Sequence, residues 1–194
     1  MAENKNIERF EQLLRSTNRE GIENLISFIQ KSDFYTAPAS TRFHSCHEGG
    51  LLEHTLNVYD RLVSKFNDEL WEEKVDIKQE NLIISALLHD ICKTFFYNVS
   101  LRNAKNDETG KWEKVPYYTV EDKIPYGHGE KSAMMAEEFI RLEPVERYAI
   151  RWHMGFTEPK ENWNVLGCAI RKYPLILALH ISDLEATYLL EKEE

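Results

Sequence analysis

The stretch Leu82-Ile-Ile-Ser-Ala-Leu-Leu-His-Asp90, continued by Ile91-Cys-Lys93, is the strongest constraint on how this chain can fold. From 79 to 93 the residues are apolar nearly all round, so the spacing predicts a helix at the centre of the fold with no face left for water. His89 and Asp90 stand near its end. A second carboxylate, Asp183, interrupts the apolar run Leu175-Ile-Leu-Ala-Leu-His-Ile-Ser-Asp-Leu184. An ionised carboxylate inside such segments costs several kcal/mol unless it is paired, hydrogen-bonded or bound to a metal. A capping role or a buried ion pair would satisfy either aspartate alone, and a metal ion would satisfy both.

The rest of the chain reads as mainly helical. Residues 5–15 and about 19–31 form two short amphipathic patterns, with Ile7, Phe10 and Leu14 on the first and Ile22, Leu25, Ile26 and Ile29 on the second. They are expected to pack over the core as a lid. Pro38, Ser40 and Gly49-Gly50 mark a loop, after which Leu52, Leu56, Tyr59, Val63 and Phe66 recur at helical spacing. Residues 95–99 and 115–120 are β-prone, and Asn106 to Gly110 between them has turn chemistry, which predicts a β-hairpin. Helices resume at about 130–141 and from Pro144 to about 153, where Gly155 stops the second, and a last pair covers about 164–172 and 174–190. A length of 194 residues, without repeats or linkers, fits a single domain over 1–194. Within it, 1–41 reads as a helical extension and 42–190 as the metal-binding core.

Composition narrows the function. A formal net charge of −9 would repel a long polyanion, which argues against duplex nucleic acid as a partner and for a small phosphorylated substrate such as a nucleotide. No run of about 18 apolar residues calls for a membrane, and the polar start Met1-Ala-Glu-Asn-Lys lacks a secretory pattern, which points to the cytoplasm. Cys46, Cys92 and Cys168 are widely spaced and suggest neither a disulfide framework nor a thiolate zinc site. Oligomeric state leaves no mark in the sequence.

Histidines supply what the buried aspartates ask for. His54 lies beside the stripe of Leu51, Val58 and Leu62, while His128 and His153 stand at helix ends next to glycines. Imidazole with carboxylate suits zinc, iron, manganese and nickel. Each histidine taken singly also fits a core or surface role. Taken in order, the motifs Glu48-Gly-Gly-Leu-Leu-Glu-His54, Leu88-His89-Asp90-Ile-Cys-Lys93, Gly127-His128-Gly-Glu130, Trp152-His153-Met-Gly155 and His180-Ile-Ser-Asp183 resemble the HD-domain phosphohydrolase superfamily over about residues 42–190. The Gly-Gly-Leu-x-x-His approach is similar to stand-alone HD proteins and to the HD module of bacterial 3'-to-5' exoribonucleases. The implied fold is an all-α helical bundle with a small β-hairpin inserted after the His-Asp helix.

The resemblance implies that His54, His89, Asp90 and Asp183 hold one divalent ion (Mn, Fe, Ni, Zn or Mg), and that His128 and His153 add ligands for a second, with Asp90 bridging. A carboxylate with two acceptor oxygens can bridge where an imidazole cannot. The implied reaction is hydrolysis of a phosphomonoester or phosphodiester, of a nucleotide or short oligonucleotide, by metal-activated water. Asp90 and Lys93 are the catalytic candidates. A continuing helix would carry the Lys93 ammonium over the same face as His89 and Asp90, where it serves phosphate binding, although a solvated lysine at a helix end is the plainer reading. His44, with Arg42, is a candidate phosphate contact ahead of the Gly-Gly loop. His180 is a candidate orienting partner, Glu130 a candidate partner of a metal-bound water, and Tyr97, Tyr117, Tyr118 and Tyr126 candidates for stacking on a base; His47 has no assigned role. Two alternatives share the ligand set: a di-iron HD-type oxygenase, and a non-catalytic metal-bearing regulatory module.

Overall fold

A computed structural model of the chain describes residues 2–42, 45–74, 76–107 and 109–191. His44 lies outside the described residues. Within them the chain is mostly helical, with a small two-stranded antiparallel sheet. No single helix among the described residues is long and apolar enough to cross a membrane.

Helices α1 (Ala2–Ser16) and α2 (Ile22–Lys31) bury the stripes read from the sequence. Phe10, Leu14, Leu25 and Ile29 are fully excluded from solvent in the same cluster as Leu56, Leu62 and Leu87. The pair is therefore a wall of the core and not a lid over it, because α1 packs directly on α3 (Gly50–Lys65) and α5 (Gln79–Leu88) and the apolar face of α2 joins the same buried cluster. Between those two runs the short helix α4 (Glu69–Lys74), which no periodicity announced.

Every residue of α5 from Asn81 onward is buried, as its all-round apolar character requires. The helix nevertheless stops at Leu88, five residues short of the expected end, and a tight 3-10 turn, Ile91–Lys93, follows. The Cys92 N–H that a longer helix would give to the Leu88 carbonyl goes instead to Ser132 Oγ at 3.3 Å. The chain then enters the hairpin, β1 (Tyr97–Lys105) and β2 (Trp112–Val120), paired from Tyr97–Val120 to Lys105–Trp112. Both strands run further toward the turn than the β-prone segments indicated. Their distal halves are largely exposed, Leu101 and Trp112 included, so ladder hydrogen bonds hold them where side-chain burial does not.

Helices α6 (His128–Glu137) and α7 (Pro144–Trp152) form an antiparallel-type hairpin of helices, α8 (Trp163–Lys172) follows, and α9 (Leu175–Glu185) packs across α3 and α7. A network around Arg19 fastens the first turns of α5 and α7. Its guanidinium meets the fully buried Glu146 at 2.6 Å and Glu80 at 3.3 Å, while Asn81 Nδ2 donates to Glu146 at 2.9 Å. With those ends clamped, the opposite ends of α5 and α7, carrying His89 and His153, emerge side by side. The run expected as one helix to 190 changes after Glu185 into a wider π turn, Ala186–Leu190. That turn bends the chain so that Glu191 comes back onto α3.

Candidate metal centre

Five elements converge on Asp90. His54 comes from the second turn of α3, His89 caps α5, His128 opens α6, His153 caps α7 and Asp183 lies near the end of α9. The two oxygens of Asp90 divide the cluster. Oδ2 faces Lys93 Nζ at 2.6 Å, His89 Nε2 at 3.5 Å and His54 Nε2 at 3.7 Å. Oδ1 faces His128 Nε2 at 2.7 Å and His153 Nε2 at 3.6 Å. Asp183 Oδ1 sits 3.3 Å from His54 Nε2. Three overlapping sets offer ligand atoms within 4.8 Å of one another: His54, His89 and Asp90; His89, His153 and Asp183; Asp90, His128 and His153. All six residues named from the sequence are thus brought together, and His153 reaches both sides of the cluster.

Local geometry aims the rings. His89 Nδ1–H donates to the Ala86 carbonyl and His153 Nδ1–H to the Ile150 carbonyl, each at 2.7 Å. Both bonds leave Nε2 with its lone pair pointing inward. His89 Nε2 is buried and has no hydrogen-bond partner among the described residues. An unpartnered buried acceptor is costly, and a metal ion is the ligand that a lone pair flanked by carboxylates fits. Gly129 makes the approach of α6 to α7 possible, since a Cβ there would lie 2.2 Å from the Arg151 carbonyl oxygen. That contact sets the His128 ring 5.3 Å from the His153 ring.

The electrostatics follow from burial and pairing. Burial would lower the His54 pKa, but hydrogen bonds to Asp183 and Glu191 outweigh it and raise the value to about 9. His89 has no such bonds, so burial lowers it to about 4. Burial works against ionised Asp90 too, yet Lys93 and the surrounding imidazoles hold it well below the usual carboxylate range. Lys93 is raised in turn because the charge of Asp90 overcomes its own desolvation. The Lys93 ammonium reaches Asp90 from the 3-10 turn and not from a continuing helix, so the expected proximity holds through a different backbone path.

The cluster floors a cleft of about 370 Å³ that Thr41, Lys93, Tyr97, His128, Asp183 and Tyr188 help to line. His180 also lines it and donates through Nδ1 to the His153 carbonyl at 2.8 Å, bracing the end of α7. Its ring lies where a side chain on Gly155 would stand, 2.4 Å from an added Cβ, and Gly155 itself has φ +57°. Only glycine fits both demands. Glu130 does not face the cluster; its carboxylate pairs with Arg151. Tyr97 lines the cleft and donates through its hydroxyl to the Ala39 carbonyl, whereas Tyr126 is exposed and lines a different depression.

One residue of the site carried no signal in the sequence. Glu191 is buried, accepts His54 Nδ1–H at 3.0 and 3.2 Å, and is itself held by Asn57 Nδ2 and Ser45 Oγ, each at 2.9 Å. In Glu191-Lys-Glu-Glu it reads as part of a solvated tail. Cys92, to which the sequence assigned no role, places its sulfur 3.3 Å from His128 Nδ1.

The HD domain family model matches residues 51–186, a span that contains His54, Asp183 and every candidate ligand between them. The chain belongs to the HD-domain family. HD domains bind divalent metals, and this one has the His/Asp cluster to do so. Among curated proteins it is similar to the dihydroneopterin 2',3'-cyclic phosphate phosphodiesterase of Methanocaldococcus jannaschii, 44% identical over 62 residues. That segment is 31% of this chain and 24% of the relative, so the likeness spans about a quarter of the relative's length. No solved structure matches the chain.

Proposed function

We propose that this HD-domain protein is a metal-dependent phosphohydrolase that cleaves a phosphomonoester or phosphodiester of a nucleotide or short oligonucleotide. The division of Asp90 carries the reading: one oxygen faces His54 and His89, the other faces His128 and His153. His54, His89, Asp90 and Asp183 would hold one ion, and His128 and His153 would complete a second with Asp90 shared. Bound there, divalent ions supply a hydroxide near neutral pH and stabilise charge on phosphoryl oxygens.

The chain's own groups do the rest. Backbone carbonyls at Ala86 and Ile150 fix His89 and His153 in the tautomer with Nε2 free to ligate. The Lys93 ammonium stands at the floor of the cleft, where an incoming phosphoryl oxygen meets a fixed positive charge. The cyclic phosphodiester in the relative's name belongs to the same reaction class.

The test is hydrolysis of bis-p-nitrophenyl phosphate, p-nitrophenyl phosphate and a nucleotide panel by protein loaded in turn with manganese, iron, nickel and zinc. Turnover with at least one metal is expected. Lys93→Ala should keep the metal content of the wild type while losing about 10²-fold or more in kcat/KM. Absence of turnover with every metal, or equal loss of metal and activity in Lys93→Ala, overturns the reading or the role of the lysine respectively.

A further inference from the structure

Beside the metal cleft lies a second cavity, of about 610 Å³, between the loop that carries Thr41, Arg42 and His47 and the hairpin residues Arg102, Tyr117 and Tyr118. The two spaces adjoin: Thr41 lines both, and the ring of Tyr97 in the cleft lies 6.4 Å from that of Tyr118 in the cavity. The volume is within the range of small-molecule sites.

Two arginines at the cavity stand without the carboxylate partners that most arginines of this acidic chain have. The chain has 33 acidic residues against 24 lysines and arginines, and Arg9, Arg15, Arg19, Arg61, Arg147 and Arg151 all pair with carboxylates. Arg42 and Arg102 have no carboxylate partner among the described residues. The Arg102 guanidinium lies over the Tyr117 ring, 5.5 Å from its centroid. Stacking of that kind anchors the guanidinium by its face and leaves its N–H edge for an anion. Tyr117 and Tyr118 are half-buried and add aromatic faces, and such faces accept any planar base.

We infer that this cavity binds the non-reacting end of the substrate, an aromatic base together with a second phosphate group, while the scissile phosphate lies in the neighbouring cleft. The substrate class is then a nucleoside bisphosphate or a dinucleotide, and the inference rests on the phosphohydrolase reading above. Arg42 and Arg102 hold the second phosphate, Tyr117 positions the Arg102 guanidinium that lies over its ring, and Tyr118 stacks on the base. A nucleotide with a single phosphate, or a simple aryl phosphate, uses the cleft and leaves the arginines unengaged.

The experiment compares adenosine 3',5'-bisphosphate with p-nitrophenyl phosphate on the metal-loaded full chain, for the wild type and for Arg42→Gln/Arg102→Gln. Both arginines are exposed, so the substitutions do not disturb the core. The ratio of the two kcat/KM values should fall about fivefold or more in the double variant, since charge-assisted bonds to phosphate are lost. A smaller change in that ratio overturns the inference. Calorimetric binding of adenosine 3',5'-bisphosphate to the metal-free protein provides a readout that needs no turnover. If the wild type hydrolyses neither compound, the phosphohydrolase reading fails. The cavity then stands or falls on whether the double variant weakens this binding at least about fivefold.

Discussion

The four histidines around Asp90 are held in two different ways. His89 and His153 cap α5 and α7, and each donates Nδ1–H to the carbonyl three residues back, both at 2.7 Å. His54 and His128 are held by side chains distant in sequence: Glu191 lies 137 positions from His54, and Cys92 lies 36 from His128. A backbone acceptor cannot be removed by substitution, whereas a side-chain acceptor can. The centre therefore has a half fixed by its helices and a half that depends on the tertiary fold and is open to tuning.

Asp90 touches both halves, and its loss should have the largest effect. Asp90→Asn leaves the Lys93 ammonium buried without its counter-charge. Removal of one partner from such a pair costs about 3–5 kcal/mol. Metal-free protein should show that loss in urea unfolding, and metal analysis after dialysis should find the ions gone. Retention of wild-type metal content would remove Asp90 from the centre of the site.

Acidity separates His54 from His89 in metal-free protein. His54 is raised to about 9, chiefly against burial, by Asp183 and Glu191, so its contribution is complete below the unfolded value near 6.5 and fades as pH rises through 9. His89 is lowered to about 4 by burial, so the unfolded chain takes up its proton first and stability falls as pH drops from 6.5 toward 4. Stability should peak near pH 6.5, with up to about 3 kcal/mol lost on each limb. In His54→Gln the alkaline limb should shrink to the part owed to His153, which Asp90 also raises against burial, while the acid limb remains. Denaturant midpoints measured across pH 4–9 check this, and an unchanged alkaline limb would contradict the assignment.

The smallest effects test the tunable half from within. Glu191→Ala should weaken metal binding by about 10–100-fold, and Glu191→Gln by less, because an amide oxygen still accepts Nδ1–H. Cys92→Ala should change affinity by no more than about threefold, since a thiol sulfur is a weak acceptor. Titration with manganese or zinc reads these differences directly. Equal losses in Cys92→Ala and Glu191→Ala would erase the distinction between the two outer partners.

Much of the site was legible because the relevant signal is local. His89-Asp90 stood out as polar residues ending an all-apolar helix, Asp183 as a carboxylate in an apolar run, and the order of motifs linked them. The proximity of Lys93 to Asp90 was also foreseen, though a helix break at Leu88 delivers it. The break itself was hidden, because the hydroxyl that captures the Cys92 N–H, Ser132, lies on α6. That the N-terminal helices form a wall of the core and not a lid was hidden for a similar reason. An amphipathic stripe states that a face is buried and says nothing of what buries it.

Helical periodicity and the hairpin turn were determined by the sequence alone, since each depends on residues a few positions apart, and the six metal-ligand candidates followed from the order of motifs that resembles the HD family. Tertiary structure decided the rest: which oxygen of Asp90 each histidine faces, the return of Glu191 onto His54 through the π turn, and the pairing of an unsalted arginine cavity with the metal cleft. These depend on contacts between segments tens of residues apart, where burial and excluded volume choose the partners and no local pattern records the choice.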